Sequence, residues 1–134
     1  MSDIEPNRPV PAETGSILVV DDEPLVLKMF STILRSRGYS VVDATSGGEA
    51  LSKFAANSSD IRLLVTDIIM PRMNGIELAT EVKRRVPHLK VLYVSGYALS
   101  TLASQGLPVE RIDVFLQKPF TPAVLASRVR ELFA

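Results

Sequence analysis

Acidic side chains stand at two places where they could act together: the pair Asp21-Asp22, followed by Glu23, and the single Asp67. A hydroxyl at Ser95 and an ammonium at Lys118 extend the set. Each of these positions lies at or just past the end of a short apolar run: Ile17–Val20, Leu63–Thr66, Val91–Val94 and Val114–Leu116. If those runs are parallel strands of one sheet, all four clusters emerge at its carboxyl edge, where open α/β sheets bind ligands. Three carboxylates, a hydroxyl and an ammonium sharing one small site suit a divalent cation and a phosphoryl group.

The donor types narrow the chemistry. Gathering like charges at one edge is unfavourable unless a cation compensates. Oxygen ligands without His or Cys suit Mg2+ or Mn2+ rather than Zn2+. Asp67 would then be a carboxylate nucleophile that forms an aspartyl phosphate. Phosphoryl transfer asks mainly for positioning and for neutralisation of the phosphoryl oxygens, which a cation, Lys118 and Ser95 would supply. Each acid also has a plainer role. Asp21-Asp22-Glu23 precedes a proline-started helix, as an N-cap would, and Asp67 opens the turn Ile68-Ile69-Met70-Pro71. Those roles explain each acid singly but not their company.

The elements that must position these groups alternate regularly from Ser16 onward. Ile17–Val20 is continuously apolar, as in a parallel strand covered on both faces. Val26, Phe30, Ile33 and Leu34 follow at helical spacing, with Pro24 in the first turn and Gly38 past the end. Ser40–Asp43 reads as a second strand, and Ser46-Gly47-Gly48-Glu49 as a capping box opening a helix through Ala50, Leu51, Phe54 and Ala55. Arg62–Thr66 is a third strand, and a Pro71…Asn74-Gly75 turn leads to a helix carrying Leu78, Ala79, Val82 and Val86. Lys90–Val94 and Ile112–Leu116 are the fourth and fifth strands, and Thr121-Pro122 caps a last helix with Leu125, Val129, Leu132 and Phe133. Ala98–Arg111 holds Gly106 and Pro108 and predicts only a brief or irregular helix. The alternation implies a doubly wound α/β domain with right-handed crossovers.

Composition sets the outer bounds. The 134 residues fit one domain over 16–134, with residues 1–15, MSDIEPNRPVPAETG, as a flexible leader or linker. Fifteen acidic residues balance fifteen Lys and Arg, so no overall field favours nucleic acid or an anionic membrane. The absence of Cys removes disulfides, thiolate metal sites and cysteine nucleophiles. It also fits a cytoplasmic location. No apolar stretch reaches the length of a membrane span.

The motifs VVDDEP, TDIIMPRMNG, VSGY and FLQKPF, in this order and spacing over about residues 16–134, resemble the receiver domain of bacterial response regulators. The resemblance implies a flavodoxin-like fold with five parallel strands in order 2-1-3-4-5 and helices on both faces. It implies Asp67 as phosphoacceptor, and Mg2+ (or Mn2+) held by Asp22 directly, Asp21 through water, Asp67, and the Ile69 backbone carbonyl. Lys118 would pair with the phosphoryl oxygens, and its bond to Pro119 is typically cis in the family. Ser95 would be the switch hydroxyl and Phe115 the switch aromatic, which, lacking a Tyr hydroxyl, works by packing alone. Ile69 and Tyr97 occupy the positions that tune phosphoryl lifetime; both are bulky and neither is a good base for water.

The implied activity is phosphorelay signalling. A histidine kinase or phosphotransfer domain is the donor, and an output partner reads the switch. No direct nucleic-acid or membrane contact by this domain is expected. Self-phosphorylation and autodephosphorylation are the only catalysis expected of it, with kinase activity residing elsewhere if the chain is part of a hybrid kinase. FLQKPFTPAVLASRVRELFA and VLYVSGY resemble receivers fused to the C-terminus of hybrid histidine kinases; a free-standing regulator or a non-phosphorylated interaction module are the alternatives. A haloacid-dehalogenase-type phosphatase would show DxDx[TV], which neither DDEPL nor DIIMP fits.

Lys28, Arg35 and Arg37 are candidates for partner selection. His88 reads as a solvated loop residue, Lys83-Arg84-Arg85 as a solvated helix face, and Asn57-Ser58-Ser59 as a chance glycosylation pattern. Ser46-Gly47-Gly48 lacks the Lys-Ser/Thr of a phosphate loop.

Overall fold

A computed structural model describes residues 15–133. The leader expected over residues 1–15 lies outside them except for Gly15. The elements run β1 (Ser16–Val20), α1 (Pro24–Ser36), β2 (Ser40–Ala44), α2 (Gly47–Asn57), β3 (Ile61–Asp67), α3 (Gly75–Arg85), β4 (Lys90–Ser95), α4 (Leu99–Ser104), a 3-10 turn (Val109–Arg111), β5 (Val114–Gln117) and α5 (Pro122–Phe133). The five strands are parallel, in order β2-β1-β3-β4-β5. This is the doubly wound sheet read from the sequence.

The continuous apolar runs follow from burial on two sides. Ile17, Val19, Leu63, Val65, Leu92 and Val94 face a layer built by Leu27, Phe30 and Leu34 of α1 and Leu125 and Val129 of α5. Their neighbours Leu18, Val20, Leu64, Val91 and Tyr93 face Ala50 and Phe54 of α2, Ile76, Leu78 and Val82 of α3, and Leu102 of α4. Alternate side chains thus feed two cores, and each fully buried large apolar side chain contributes about 1.5–3 kcal/mol. Among the described residues, no helix is long and apolar enough to cross a membrane.

Several local expectations are corrected. β5 starts at Val114 rather than Ile112, because the Ile112 N–H donates to Val109 C=O (3.0 Å) and closes the 3-10 turn. β3 runs through Asp67 itself and β4 through Ser95, so both chemical residues are held by strand pairing. The N-cap of α1 is Glu23, with no side-chain cap hydrogen bond, so the acidic run does not serve as an ordinary cap. At α2 the Ser46 hydroxyl accepts from Glu49 N–H, but the Glu49 carboxylate turns to Thr45 N–H (2.6 Å) rather than closing the box on Ser46. A reciprocal capping box instead opens α3, between Asn74 and Glu77. The brief fourth helix is present, as α4 and the 3-10 turn.

The β3–α3 connection is pulled tight against the sheet. The Gly75 N–H donates to Ile68 C=O (2.8 Å), and a Cβ on Gly75 would collide with the Asp67 carbonyl oxygen. Only glycine lets the start of α3 approach the end of β3 this closely. Within the same loop the Met73 N–H donates to Pro71 C=O (2.7 Å) around Arg72, whose φ of 68° is left-handed. Such a conformation in a non-glycine residue costs on the order of 1 kcal/mol and persists where the surroundings dictate it.

Candidate functional site

Asp21 follows β1 directly and is wholly buried. Its Oδ1 accepts from Glu23 N–H (2.9 Å), and its Oδ2 accepts from Lys118 Nζ (3.1 Å). Asp67 closes β3, 7% exposed, and its Oδ1 accepts from Ile68 N–H (3.0 Å). Asp22 is half-buried. Asp21, Asp22 and Asp67 each offer a carboxylate oxygen within 4.8 Å of the others.

The electrostatics are those of a site short of positive charge. Burial pushes the Asp67 carboxyl up to about 6; Lys118 and the Ile68 N–H oppose this, while Asp21 and Asp22 add to it. Three clustered carboxylate oxygens with one nearby ammonium fit a hard divalent cation, and the donor set is oxygen only. No thiolate or imidazole belongs to the cluster.

Lys118 is placed from two directions. Its backbone N–H donates to Ser95 C=O (2.8 Å), tying the ends of β4 and β5 together, and the following bond to Pro119 is cis. Its ammonium lies 3.9 Å from Asp67 Oδ2 and 5.8 Å from the centroid of the Phe30 ring. Phe30 in turn packs on Phe120, with centroids 5.4 Å apart. An apolar platform from α1 and the loop after β5 therefore backs the ammonium. Ser95, 1% exposed, accepts from Tyr97 N–H (3.0 Å) through its hydroxyl oxygen, leaving its own proton to donate.

These groups line one cleft of about 370 Å³, formed by Asp22, Glu23, Asp67, Ser95, Gly96 and Lys118 and bordered by Ile69 and Tyr97. Ile69 and Tyr97 are 39% and 51% exposed, so they flank the mouth rather than seal it. Phe115 stands outside this lining. It is half-buried on β5, paired with Tyr93 of β4, and packs on the core that includes Leu102 of α4.

Glu23, Phe30 and Gly75 also belong to the site or its support. The helical period marks Phe30 only as apolar, and nothing local in the sequence announces its second role. Gly75 was visible as a turn glycine, but its contact with Asp67 depends on tertiary approach. His88 is exposed in the turn before β4, away from this cleft.

Comparison with known proteins agrees with this geometry. A family model described as "Response regulator receiver domain" matches residues 17–130. The sensor kinase CckA of Brucella abortus (strain 2308) is 37% identical over 119 residues, covering 89% of this chain and 12% of that protein. Response regulator SaeR of Staphylococcus aureus (strain USA300) is 33% identical over 116 residues, covering 87% of this chain and 49% of that protein. The chain thus spans half or less of these curated relatives. Among solved structures, the receiver domain of the hybrid histidine kinase CckA superposes with a TM-score of 0.75 at 33% identity, covering 90% of this chain and 100% of the other. The response regulator TrrA of Thermotoga maritima, in complex with Mg2+-BeF, superposes with a TM-score of 0.75 at 33% identity, covering 88% and 98%.

Proposed function

The chain belongs to the response regulator receiver domain family, and on that premise we propose that it takes a phosphoryl group from a phosphohistidine onto Asp67 and switches a partner-binding face in response. The observation that carries this reading is the convergence of Asp67, Asp22 and the Lys118 ammonium, 3.9 Å from Asp67, in one open cleft, with the buried Asp21 carboxylate beside them. At neutral pH a carboxyl that titrates at about 6 is mainly ionised, so the nucleophile is ready.

In the reaction an Asp67 carboxylate oxygen attacks phosphorus, the phosphorus–nitrogen bond to the donor imidazole breaks, and the ring nitrogen keeps the electron pair. Lys118 stabilises charge on the transferred oxygens, and the Ser95 hydroxyl donates its proton to one of them. Asp21 holds Lys118 in place meanwhile. Mg2+, or Mn2+ in its place, would supply the positive charge that the carboxylates and the phosphoryl oxygens need. Asp22, Asp21, Asp67 and the Ile69 carbonyl are the groups to hold it. The TrrA complex with Mg2+-BeF, a protein of the same fold, supports Mg2+ as the cation.

Movement of Ser95 toward the phosphoryl group would free space that Phe115 enters, changing the face formed by α4 and β5 by packing alone. Ile69 and Tyr97 flank the mouth and restrict the approach of water. Replacing both with Asn is expected to speed loss of the phosphoryl group several-fold, read by intact mass over time; an unchanged rate would remove them from this role. The similarity to CckA supports placement as the receiver of a hybrid histidine kinase, with a histidine kinase or phosphotransfer domain as donor.

The test is transfer from a radiolabelled phosphohistidine domain with Mg2+ present. Label should move to this chain and be lost in Asp67→Asn. Label that persists in that variant, or no transfer to a folded protein from any of several donors, would overturn the reading.

A further inference from the structure

Lys83 and Arg84 read from the sequence as part of a solvated helix face, but the fold gives them company. A second depression, of about 450 Å³, is lined by Thr80, Lys83 and Arg84 of α3, Tyr93 of β4 and Arg111 of the 3-10 turn. Three cations and two hydroxyls from three elements line it, and no carboxylate does. It shares no lining residue with the acidic cleft.

The cations are only loosely engaged. Arg111 touches Thr80 Oγ1 at 3.5 Å, a long contact that uses one of the five guanidinium donors. Lys83 lies 3.8 Å from Asp113, whose side chain is 77% exposed, and Arg84 pairs with Glu81 on the exposed helix surface. Exposed pairs of this kind contribute about 0–1 kcal/mol, so an incoming anion displaces them readily. Tyr93 is buried beneath them, and burial, with Asp113 nearby, pushes its hydroxyl up to about 12, so it stays a neutral donor. The Thr80 hydroxyl donates to Ile76 C=O (2.9 Å), so the anion's donors are the arginine fork, the two further cations and the Tyr93 hydroxyl, a set that matches the oxygens of a diphosphate better than a single carboxylate.

We propose that this depression binds a small polyvalent oxyanion of the diphosphate class, held by Arg111, Lys83 and Arg84 over the Tyr93 hydroxyl. The anion is either free inorganic diphosphate or the diphosphate end of a metabolite.

The test is an NMR titration of the isotope-labelled full chain in Mg2+-free buffer, so that the acidic cleft has no cation through which to recruit the anion. Inorganic pyrophosphate and ADP are the two probes. Saturable shifts are expected at Thr80, Lys83, Arg84, Tyr93 and Arg111. Affinity should fall at least fivefold in Arg111→Gln and in Tyr93→Phe, which keeps the ring, and stay unchanged in Arg85→Gln on the same helix. Equal binding of both probes would assign the site to inorganic diphosphate, and tighter ADP binding to a metabolite. Shifts that never saturate and spread over all basic residues, or an equal loss in Arg85→Gln, would overturn the proposal. So would saturation at Ser95 and Lys118 instead.

Discussion

Asp67 gathers the opposing forces of the site onto one carboxyl. In metal-free protein the folded carboxyl holds its proton to about 6, whereas an unfolded Asp releases it near 4. The folded state therefore binds more protons across that interval, and stability falls as pH rises through about 4 to 6. The loss is up to about 3 kcal/mol. Urea midpoints in EDTA should show this slope for the native chain and a flatter profile for Asp67→Asn; parallel profiles would contradict it. Phe30 makes a different claim. Leu in its place keeps an apolar core residue at a cost of about 1 kcal/mol, but removes the ring beneath the Lys118 ammonium. Phosphorylation by acetyl phosphate should slow several-fold while Mg2+ affinity holds. An unchanged rate would reduce Phe30 to ordinary packing.

At the scale of elements, the strands end where the chemistry begins. β1, β3 and β4 were legible because each is apolar on both faces, and their carboxyl ends carried Asp21-Asp22, Asp67 and Ser95 in plain view. β5 was legible in kind but not in its start, since an apolar Ile112 looks alike whether it pairs in a strand or closes a turn. The weakness of Ala98–Arg111 was visible in Gly106 and Pro108. That Arg111 would return to Thr80 of α3 was not, because no local pattern encodes a contact between distant segments. The β3–α3 loop rests on Gly75. Gly75→Ala should cost about 1–3 kcal/mol by forcing the start of α3 away from the Asp67 carbonyl, as measured by urea denaturation. A neutral effect would mean that the loop yields without strain.

For the molecule as a whole, a two-sided core supports a site that its own charges oppose. Asp21, wholly buried, and Asp67, nearly so, are tolerated because Lys118 and backbone N–H groups meet them, and a bound cation would relieve what remains. Mg2+ should therefore stabilise the fold by mass action, by about 2.7 kcal/mol at a hundredfold excess over its dissociation constant. EDTA should reverse the gain and Asp22→Asn should abolish it in thermal melts. A cation-independent melting temperature would contradict binding of Mg2+ to the fold, and a gain that survives in Asp22→Asn would place the metal elsewhere. Phe115 belongs to this scale too, since it pairs with Tyr93 of β4 and packs on the core that includes Leu102 of α4.

The most direct measurement is the tryptic-peptide mass map after incubation with Mg2+ and acetyl phosphate, with Asp67→Asn alongside. A Mg2+-dependent phosphoryl adduct is predicted on the peptide carrying Asp67, absent from the variant. An adduct elsewhere, or none on a folded and Mg2+-binding protein, would contradict the assignment of Asp67 as phosphoacceptor.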